Sequence, residues 1–430
     1  MRLAVAVQRY GADINGGAEL HARYIAERLA RHAEVEVVTT CARDYVTWRN
    51  ERPAGSEVVN GVPVRRFAVD HERDPNVFGR HSHRVFARQH STADELTWLD
   101  SEGPASRALI DYLAQPDRFD FIILFSYRYY HSYHAARRVP SRAILVPTAE
   151  RDEVIGLALF PPVFRAVRGI MYNSHEERAM IQAASGNHDV PGVVVGVGSE
   201  VPAVTDARRF RSKYKFERPF AIYIGRIDEN KGCKELFDHF TRYAATFPRG
   251  LDLVLIGSAI IPVPDHPRIH HLGFLDDRDK FDALAASDLL IMPSYFESLS
   301  MVALEAWALG KPVLANGRCD VLKGQCIRSG AGLYYESYEE FAETLYALES
   351  KGPLHARLGR NGREYFRANY SWPVIERKYL DMLDQLQRAP APNTAVEPLP
   401  GWLARRKPNL PPARDVLARI PAGAVVPQNA

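Results

Sequence analysis

The sequence predicts an α/β protein built from two consecutive doubly wound domains. Short apolar runs alternate with segments of helical periodicity from Leu3 to Arg388, which is typical of buried parallel strands joined by helices. A charged, irregular segment at residues 201–218 interrupts the alternation, and we place a hinge there. A length of 430 residues is also too great for one ordinary hydrophobic core, so two domains are expected.

The N-terminal domain is predicted to start with a strand at residues 3–7, a helix at about 17–31 and a strand at 34–39. Gly16 and Gly17 lie where that helix starts. Glycine at such a position lets a ligand approach the backbone, and a helix N-terminus presents free N–H groups to it. A plain tight turn accounts for the same two glycines about equally well.

The rest of this predicted sheet consists of strands at residues 119–125, 143–146, 170–172 and 193–197. The strand at 143–146 runs into the sequence PTAERDE, so Glu150 and Asp152 follow its carboxyl end. Open α/β sheets keep their ligands at that edge. These two carboxylates are therefore candidates for a ligand site.

Residues 65–90 are rich in arginine and histidine. A solvated surface is the favoured interpretation, and a face for acceptor phosphates or anionic lipid head groups is the alternative. The histidines lack the carboxylate or cysteine neighbours of a metal site, and no metal site is predicted.

The second domain is predicted to begin with a strand at residues 220–224, which is followed by the sequence GRIDENKG. Arg226 and Lys231 bracket a turn that opens a helix. Two cations beside a helix N-terminus suit a diphosphate. Later strands at 253–256 and 269–272 are followed by Gly257 and by the sequence GFLDD.

Residues 293–312, PSYFESLSMVALEAWALGKP, are predicted to form a loop and a helix. Glu297 falls in the loop, and Glu305 lies about two turns further on, near the middle of the helix. Glutamate on a helix is usually a solvated residue, so this spacing is weak on its own. Together with Arg226 and Lys231 at other strand ends, the two carboxylates describe a nucleotide-sugar site in a cleft between the domains.

Net charge, cysteine pattern and apolar runs narrow the class of protein further. A net charge of +3 does not favour a nucleic-acid partner. The four cysteines form no CxxC pair, which indicates free thiols in a reducing compartment. The sequence has no apolar run of about 18 residues and no signal-peptide pattern at its start. A soluble cytoplasmic protein is therefore predicted, with a peripheral contact at the inner face of a membrane left open.

A last long helix is predicted to end at about Arg388, and a Pro-rich tail follows it. Nine prolines fall among the last 41 residues, so we expect a mostly disordered tail. The predicted bounds are 1–200 for the N-terminal domain, 201–218 for the hinge, 219–370 for the C-terminal domain, 371–389 for the last helix and 390–430 for the tail.

Five pieces of sequence resemble family 4 glycosyltransferases of the GT-B fold over roughly residues 1–388: RYGADINGGAE, GRIDENKG, LVLIGS, HHLGFLDD and PSYFESLSMVALEAWALGKPVLAN. The last piece contains the E-x7-E signature of retaining members. The resemblance implies two Rossmann-like domains that face each other across a cleft, with the C-terminal helix crossing back to the N-terminal domain. It also implies metal-independent, retaining transfer from a UDP- or GDP-type sugar to a glycan or lipid-linked acceptor, in bacterial-type surface polysaccharide, lipopolysaccharide or glycolipid synthesis.

The resemblance also assigns roles to residues of this chain. Arg226 and Lys231 would hold the diphosphate, Glu305 would bind the ribose hydroxyls, and Glu297 would lie near the donor sugar. The further donor contacts that it implies are the backbone N–H groups of Leu299 and Ser300, the phosphate-side glycines Gly16 and Gly17, the strand-end residue Gly257, and Gly273, Phe274 and Leu275, of which the last three would flank the base.

One departure from the family pattern affects the acceptor side. Relatives often carry a histidine after the strand that here ends in VPTA, where this chain has Glu150 and Arg151. Glu150, Asp152 or His131 are the candidates to replace it. A different donor, reduced activity, a nucleotide-sugar-binding protein without transfer activity and a nucleotide-sugar epimerase are the alternatives. A mechanism in which the departing phosphate accepts the acceptor's proton tolerates the loss of that histidine.

Overall fold

The computed structural model describes residues 1–14, 16–349, 352–391, 395–399 and 413–420. The N-terminal half contains β1 (Arg2–Ala6), α1 (Gly17–Leu29), β2 (Glu34–Thr40), β3 (Gly55–Val59), β4 (Val62–Phe67), α2 (Pro75–Ala87), α3 (Thr92–Glu102), α4 (Arg107–Ala114), β5 (Phe121–Phe125), α5 (Tyr130–Arg138), β6 (Ala143–Val146), a 3-10 turn (Glu153–Gly156), α6 (Phe160–Ala166), β7 (Gly169–Tyr172), α7 (His175–Ser185) and β8 (Gly192–Val194).

The remaining elements are α8 (Ala207–Tyr214), β9 (Phe220–Ile224), α9 (Cys233–Thr246), β10 (Asp252–Ile256), β11 (Ile269–His271), α10 (Asp277–Ala286), β12 (Leu289–Met292), α11 (Met301–Ala308), β13 (Val313–Asn316), α12 (Asp320–Ser329), β14 (Gly332–Tyr335), α13 (Tyr338–Glu349), α14 (Pro353–Asn369), α15 (Trp372–Arg388) and α16 (Ala413–Leu417).

The first sheet has the strand order β3-β4-β2-β1-β5-β6-β7-β8. Its strands are parallel apart from β3, which runs antiparallel to β4. The chain builds outward from β1 in both directions, so the order reverses between β1 and β5. Every residue of β5 is buried, as expected for a central strand with helices on both faces.

The second sheet is entirely parallel, with the order β11-β10-β9-β12-β13-β14. Its order reverses between β9 and β12. In open α/β sheets the loops beyond the carboxyl ends of the strands on either side of such a reversal form the ligand crevice. The loops after β9 and β12 are the ones that carry GRIDENKG and PSYFES.

Two local predictions need correction. Residues 65–90 were interpreted as a solvated surface, but residues 65–67 belong to β4 of a β3–β4 hairpin at residues 55–67, and Arg66 is buried there. The hairpin's two-residue Asn60-Gly61 turn is the signal that predicts it. The hinge segment is not irregular throughout, because α8 lies within it and buries Phe210. A run of charged residues conceals that single core position.

The last helix, α15, packs against the N-terminal half. Met382 and Leu386 lie so close to Gly169 that a side chain there would meet both of them. The Arg168 guanidinium donates hydrogen bonds to carbonyls at the end of α15, including that of Ala389 at 2.6 Å. These contacts tie the C-terminal end of the helix to β7 of the first sheet.

The predicted tail at 390–430 falls largely outside the described residues, which omit 392–394, 400–412 and 421–430. Of its described part, Glu397 forms an ion pair with Arg165 at 2.5 Å, and Leu399 packs against the first domain's core. None of the helices in the described ranges combines the length and the apolar character that crossing a bilayer requires.

Candidate functional site

The carboxyl ends of the two sheets border one cavity of about 650 Å³. Loops after β1, β5 and β6 form the N-terminal wall, and loops after β9 and β12 form the C-terminal wall. The cavity therefore lies at the reversal points of both strand orders, and its volume is in the range of small-molecule sites. Eight of the predicted site residues line it: Gly16, Gly17, Glu150, Asp152, Arg226, Lys231, Glu297 and Leu299.

Lys231 and Glu297 form an ion pair across the C-terminal wall, with 2.8 Å between Nζ and Oε1. The Lys231 backbone N–H donates to Asp228 at 2.8 Å, which fixes the turn before α9. Burial opposes the lysine charge, but the carboxylates of Glu297 and Glu150 outweigh burial and raise the pKa of Lys231 above its usual range. Lys231 is therefore a cation at neutral pH.

Arg226 pairs with the same Asp228, through its Nε atom. Its side chain is 54% exposed and lies on the cavity wall. Arg226 and Lys231 thus line the same wall of the cavity, each with a carboxylate as its partner. An incoming anion can take over these cations by displacing the carboxylates, since charge-assisted hydrogen bonds to phosphate are equally strong.

Glu150 lies opposite this pair, at the end of β6. Within the described residues, its carboxylate forms no ion pair and accepts no hydrogen bond. Burial is the main reason that its pKa is raised; Lys231 lowers it, and the nearby carboxylates of Glu297 and Asp152 raise it further. The side chain is a free proton or hydrogen-bond acceptor that faces the cavity.

Asp152, by contrast, is already engaged. One oxygen accepts the Val154 N–H at 3.1 Å and caps the 3-10 turn. The other accepts a 3.0 Å hydrogen bond from Arg128, which also pairs with the buried Glu102 at 2.9 Å. Burial raises the pKa of Asp152, whereas the positive charge of Arg128 lowers it. The geometry favours Asp152 as an anchor for Arg128, so Glu150 is the freer of the two acids.

His131 does not replace the missing family histidine at the cavity. It is buried, its Nε2 atom lies 3.1 Å from the Phe125 carbonyl oxygen, and it is absent from the cavity lining. Burial lowers the pKa of His131 to about 4. Arg151 likewise points elsewhere, because its guanidinium pairs with Asp320 of α12 at 2.8 Å.

His21, which the sequence motifs do not single out, does line the cavity. It lies one turn after Gly17 on the same face of α1. Burial lowers the pKa of His21 to about 3, so the ring is neutral at neutral pH. Its Nε2 atom is 3.4 Å from the Tyr379 hydroxyl of α15. Helical spacing from the glycines is the signal that points to it.

Glu177 fixes the loop that carries Glu150. Its carboxylate accepts the backbone N–H groups of Ala149 and Asn173, each at 2.5 Å. Burial raises the pKa of Glu177 to about 8, against the effect of these N–H groups. Ser174 caps α7 by accepting the Glu177 N–H at 3.1 Å. The Ser-x-x-Glu spacing is a recognisable capping signal, but the sequence alone does not predict the contact with Ala149.

Glu305 lies behind the C-terminal wall and does not itself line the cavity. One oxygen, Oε1, accepts hydrogen bonds from Ser199 at 2.7 Å and Lys280 at 3.2 Å. The other, Oε2, has no partner among the described residues. Met301, one turn earlier on α11, does line the cavity. Glu305 lies on the same face of the helix, one turn further from the cavity.

The remaining predicted residues lie outside the cavity lining. The Ser300 hydroxyl caps α11 by accepting the Ala303 N–H at 3.2 Å, so only its backbone is left for a ligand. Gly257 packs against the Gly225 carbonyl, where a side chain has no room. Phe274 is 73% exposed, and its role towards a base, like that of Gly273 and Leu275, stays a prediction.

The architecture is that of the GT-B glycosyltransferases, which confirms the predicted fold. Sucrose-phosphate synthase from Thermosynechococcus elongatus superposes with a TM-score of 0.66 at 16% identity, over 90% of this chain and 100% of the other. HepE from Anabaena, in complex with UDP-glucose, gives a TM-score of 0.64 at 17% identity, over the same shares. At these identities the likeness establishes the fold alone.

Residues 205–365 match the family model of the glycosyl transferases group 1. This part of the chain is a group 1 glycosyltransferase domain, and the resemblance to family 4 is confirmed there. Phosphatidyl-myo-inositol mannosyltransferase of Propionibacterium freudenreichii subsp. shermanii is 34% identical over 211 residues, 45% of this chain and 51% of the relative. The lipopolysaccharide core glycosyltransferase LpsE of Rhizobium meliloti is 28% identical over 178 residues, 39% and 50% respectively. The chain thus spans about half the length of these curated relatives.

Proposed function

We propose that the protein is a retaining glycosyltransferase that moves a hexose-type sugar from a nucleotide-diphospho-sugar to a hydroxyl acceptor. The observation that carries the proposal is the Lys231–Glu297 pair, 2.8 Å apart, on the wall of the inter-domain cavity beside Arg226. The group 1 domain and the names of the relatives support it. They favour polysaccharide, lipopolysaccharide or glycolipid synthesis. We further propose that the protein works in the cytoplasm or at the inner face of a membrane.

In the proposed reaction the donor diphosphate displaces the carboxylates from Arg226 and Lys231. The bond between the anomeric carbon and the phosphate oxygen breaks, and its electron pair goes to the diphosphate. The two cations stabilise the charge that develops there, and a preorganised charge in a water-poor site is usually a large catalytic term. They supply the positive charge that a metal ion supplies in other transferases, so the proposal needs no metal.

The acceptor hydroxyl attacks from the face that the phosphate leaves, which retains the anomeric configuration. Its proton goes to the departing phosphate oxygen, so no strong protein base is required. Glu150 faces the same space and can accept a hydrogen bond from that hydroxyl. Glu297, released from Lys231, can then bind hydroxyls of the donor sugar.

We predict that Glu305→Ala raises the KM for the donor roughly 10- to 100-fold, because a hydrogen bond to a charged group contributes about 1.5–3 kcal/mol. The Oε2 atom, which is buried behind the cavity wall and has no partner among the described residues, is the proposed contact to the ribose hydroxyls. Ser199→Ala is the control, since it removes one partner of Glu305 and keeps the carboxylate; its KM should change only a few-fold. Steady-state kinetics with the donor varied gives both values, and an equal effect of the two variants would contradict the ribose contact.

The central test is a titration of the protein with a panel of UDP- and GDP-sugars, followed by measurement of released nucleoside diphosphate with and without candidate acceptors. Binding of one donor and acceptor-dependent release are the expected results. Binding without release under any acceptor would instead favour a protein that senses nucleotide sugars. Conversion of the donor in the absence of acceptor would favour an epimerase.

A further inference from the structure

We infer that the part of the acceptor that enters the cleft is an uncharged, polyhydroxylated ring, and that a phosphorylated or carboxylated ring is excluded. The inference rests on the proposed function and concerns the N-terminal wall of the same cavity. It follows from how the charges of that wall are already paired, and from which polar and aromatic groups are left over.

The two arginines that the described N-terminal wall offers are both occupied. Arg9 forms an ion pair with Glu19 at 2.6 Å, and its Nη1 atom donates to the Arg43 carbonyl at 2.9 Å. Arg128 lies between Glu102 at 2.9 Å and Asp152 at 3.0 Å. Glu19 is buried and has Arg9 as its ion-pair partner, so an acceptor phosphate that took Arg9 would leave a buried carboxylate unpaired. A phosphate that took Arg128 would leave Asp152 without its cation, whereas the buried Glu102 would keep Arg73 at 3.0 Å.

The wall also carries more acids than bases. Its charged lining residues are Arg9 and Arg128 against Glu19, Glu150 and Asp152, which is two positive charges against three negative ones. The excess charge sits on Glu150, whose carboxylate is unpaired within the described residues. Like charges brought together in a binding site are a strong means of rejecting a ligand, so an anionic ring is disfavoured where the acceptor would lie.

The remaining polar and aromatic groups at the cavity are suited to bind the hydroxyls and the apolar face of a sugar-like ring. Glu150 can accept hydrogen bonds from hydroxyls, and the buried Asn173 Oδ1 atom at the cavity has no partner in the described chain. Tyr45 on the N-terminal wall, whose ring lies 5.4 Å from the Arg9 guanidinium, and Phe296 on the facing C-terminal wall border the cavity with 43% and 38% of their surface exposed. Aromatic rings with a few convergent polar groups are the typical lining of a site for such a partly apolar, partly polar ligand.

The test compares a neutral methyl hexoside with its phosphate ester and with the corresponding uronic acid, each offered with the donor identified in the panel. We expect nucleoside diphosphate to be released at least about tenfold faster with the neutral hexoside. Calorimetric titration of the three compounds into the complex of protein and nucleoside diphosphate gives a second readout that does not need transfer. Equal or better binding or turnover of the charged rings overturns the inference.

The same two readouts separate this inference from the proposed function. Absence of transfer with every acceptor would refute the transferase, while binding of the neutral ring alone would still support the inference. Tight binding of the phosphate ester together with transfer to it would refute the inference and leave the transferase standing. Failure of all three rings to bind would also count against the inference.

Glu150→Gln supplies the residue-level test. It should raise the rate with the phosphate ester relative to the neutral hexoside about tenfold, and this ratio cancels any general loss of activity. Glu153→Gln is the matched control, because Glu153 is exposed in the same loop and does not line the cavity. It removes the same charge and should leave the ratio unchanged. An equal shift in both variants would show that the net charge of the loop, and not Glu150, sets the preference.

Discussion

Replacing Lys231 by alanine is expected to lower the rate of sugar transfer roughly 10²- to 10³-fold, the usual cost of losing one group that stabilises transition-state charge. The Lys231 side chain is 30% exposed and lies on the cavity wall, and its pKa is raised by the neighbouring carboxylates, which outweigh the opposite effect of burial. It therefore stays charged across the assay range. Without Lys231, the carboxylates of Glu297 and Glu150 face the diphosphate. Among the described residues that line the C-terminal wall, Arg226 is then the remaining cation.

The effect should appear in kcat more than in the donor's KM, because charge builds up on the diphosphate as the bond breaks. Lys234→Ala is the matched control: Lys234 is exposed on α9, outside the cavity, and its removal makes the same change in net charge. Transfer and donor hydrolysis should both be measured for the two variants. If Lys231→Ala transfers sugar at the parental rate, the diphosphate role assigned to this lysine is wrong.

The placement of Lys231 and Glu297 illustrates what could be predicted from the sequence. Both follow buried apolar strands, and in a parallel sheet all such strand ends lie at one edge. β9 and β12 are direct neighbours in the sheet, so their loops meet even though 66 positions separate the two residues. Hydrophobic periodicity and the turn residues were enough to predict that these two residues lie at the same edge of the sheet.

The opposite wall of the cavity could not be predicted in the same way. Arg9–Glu19 and Arg128–Asp152 are pairs between loop or helix side chains whose directions depend on tertiary packing. His131 failed as a candidate because the chain after β5 turns it into the core, where its Nε2 atom meets the Phe125 carbonyl. Sequence spacing identifies which strand end a residue follows, but it does not identify the side of the following turn on which the residue lies.

Gly232, the final residue of GRIDENKG, is expected to be the most sensitive backbone position of the site. Its φ is +70°, in the left-handed region, and a Cβ there would lie 2.0 Å from the Pro293 carbonyl oxygen. That oxygen also accepts a 3.0 Å hydrogen bond from Asn316, so it is held in place. We expect Gly232→Ala to lower the free energy of unfolding by about 3 kcal/mol, from left-handed strain of about 1–2 kcal/mol plus overpacking of about 1–3 kcal/mol.

The same substitution should also weaken donor binding, because relieving the collision separates the loop of Lys231 from the loop that runs from Pro293 to Glu297. Gly186→Ala is the control: Gly186 ends α7 with φ +68°, and a Cβ there meets nothing within 4 Å. Gly186→Ala introduces the left-handed strain without the collision. It should therefore lower the free energy of unfolding by about 1–2 kcal/mol and leave donor affinity unchanged. Urea denaturation and donor titration of both variants separate the two contributions. Equal losses of stability in the two variants would mean that Gly232 is required only for its left-handed backbone conformation. The close approach of the two loops would then not depend on Gly232.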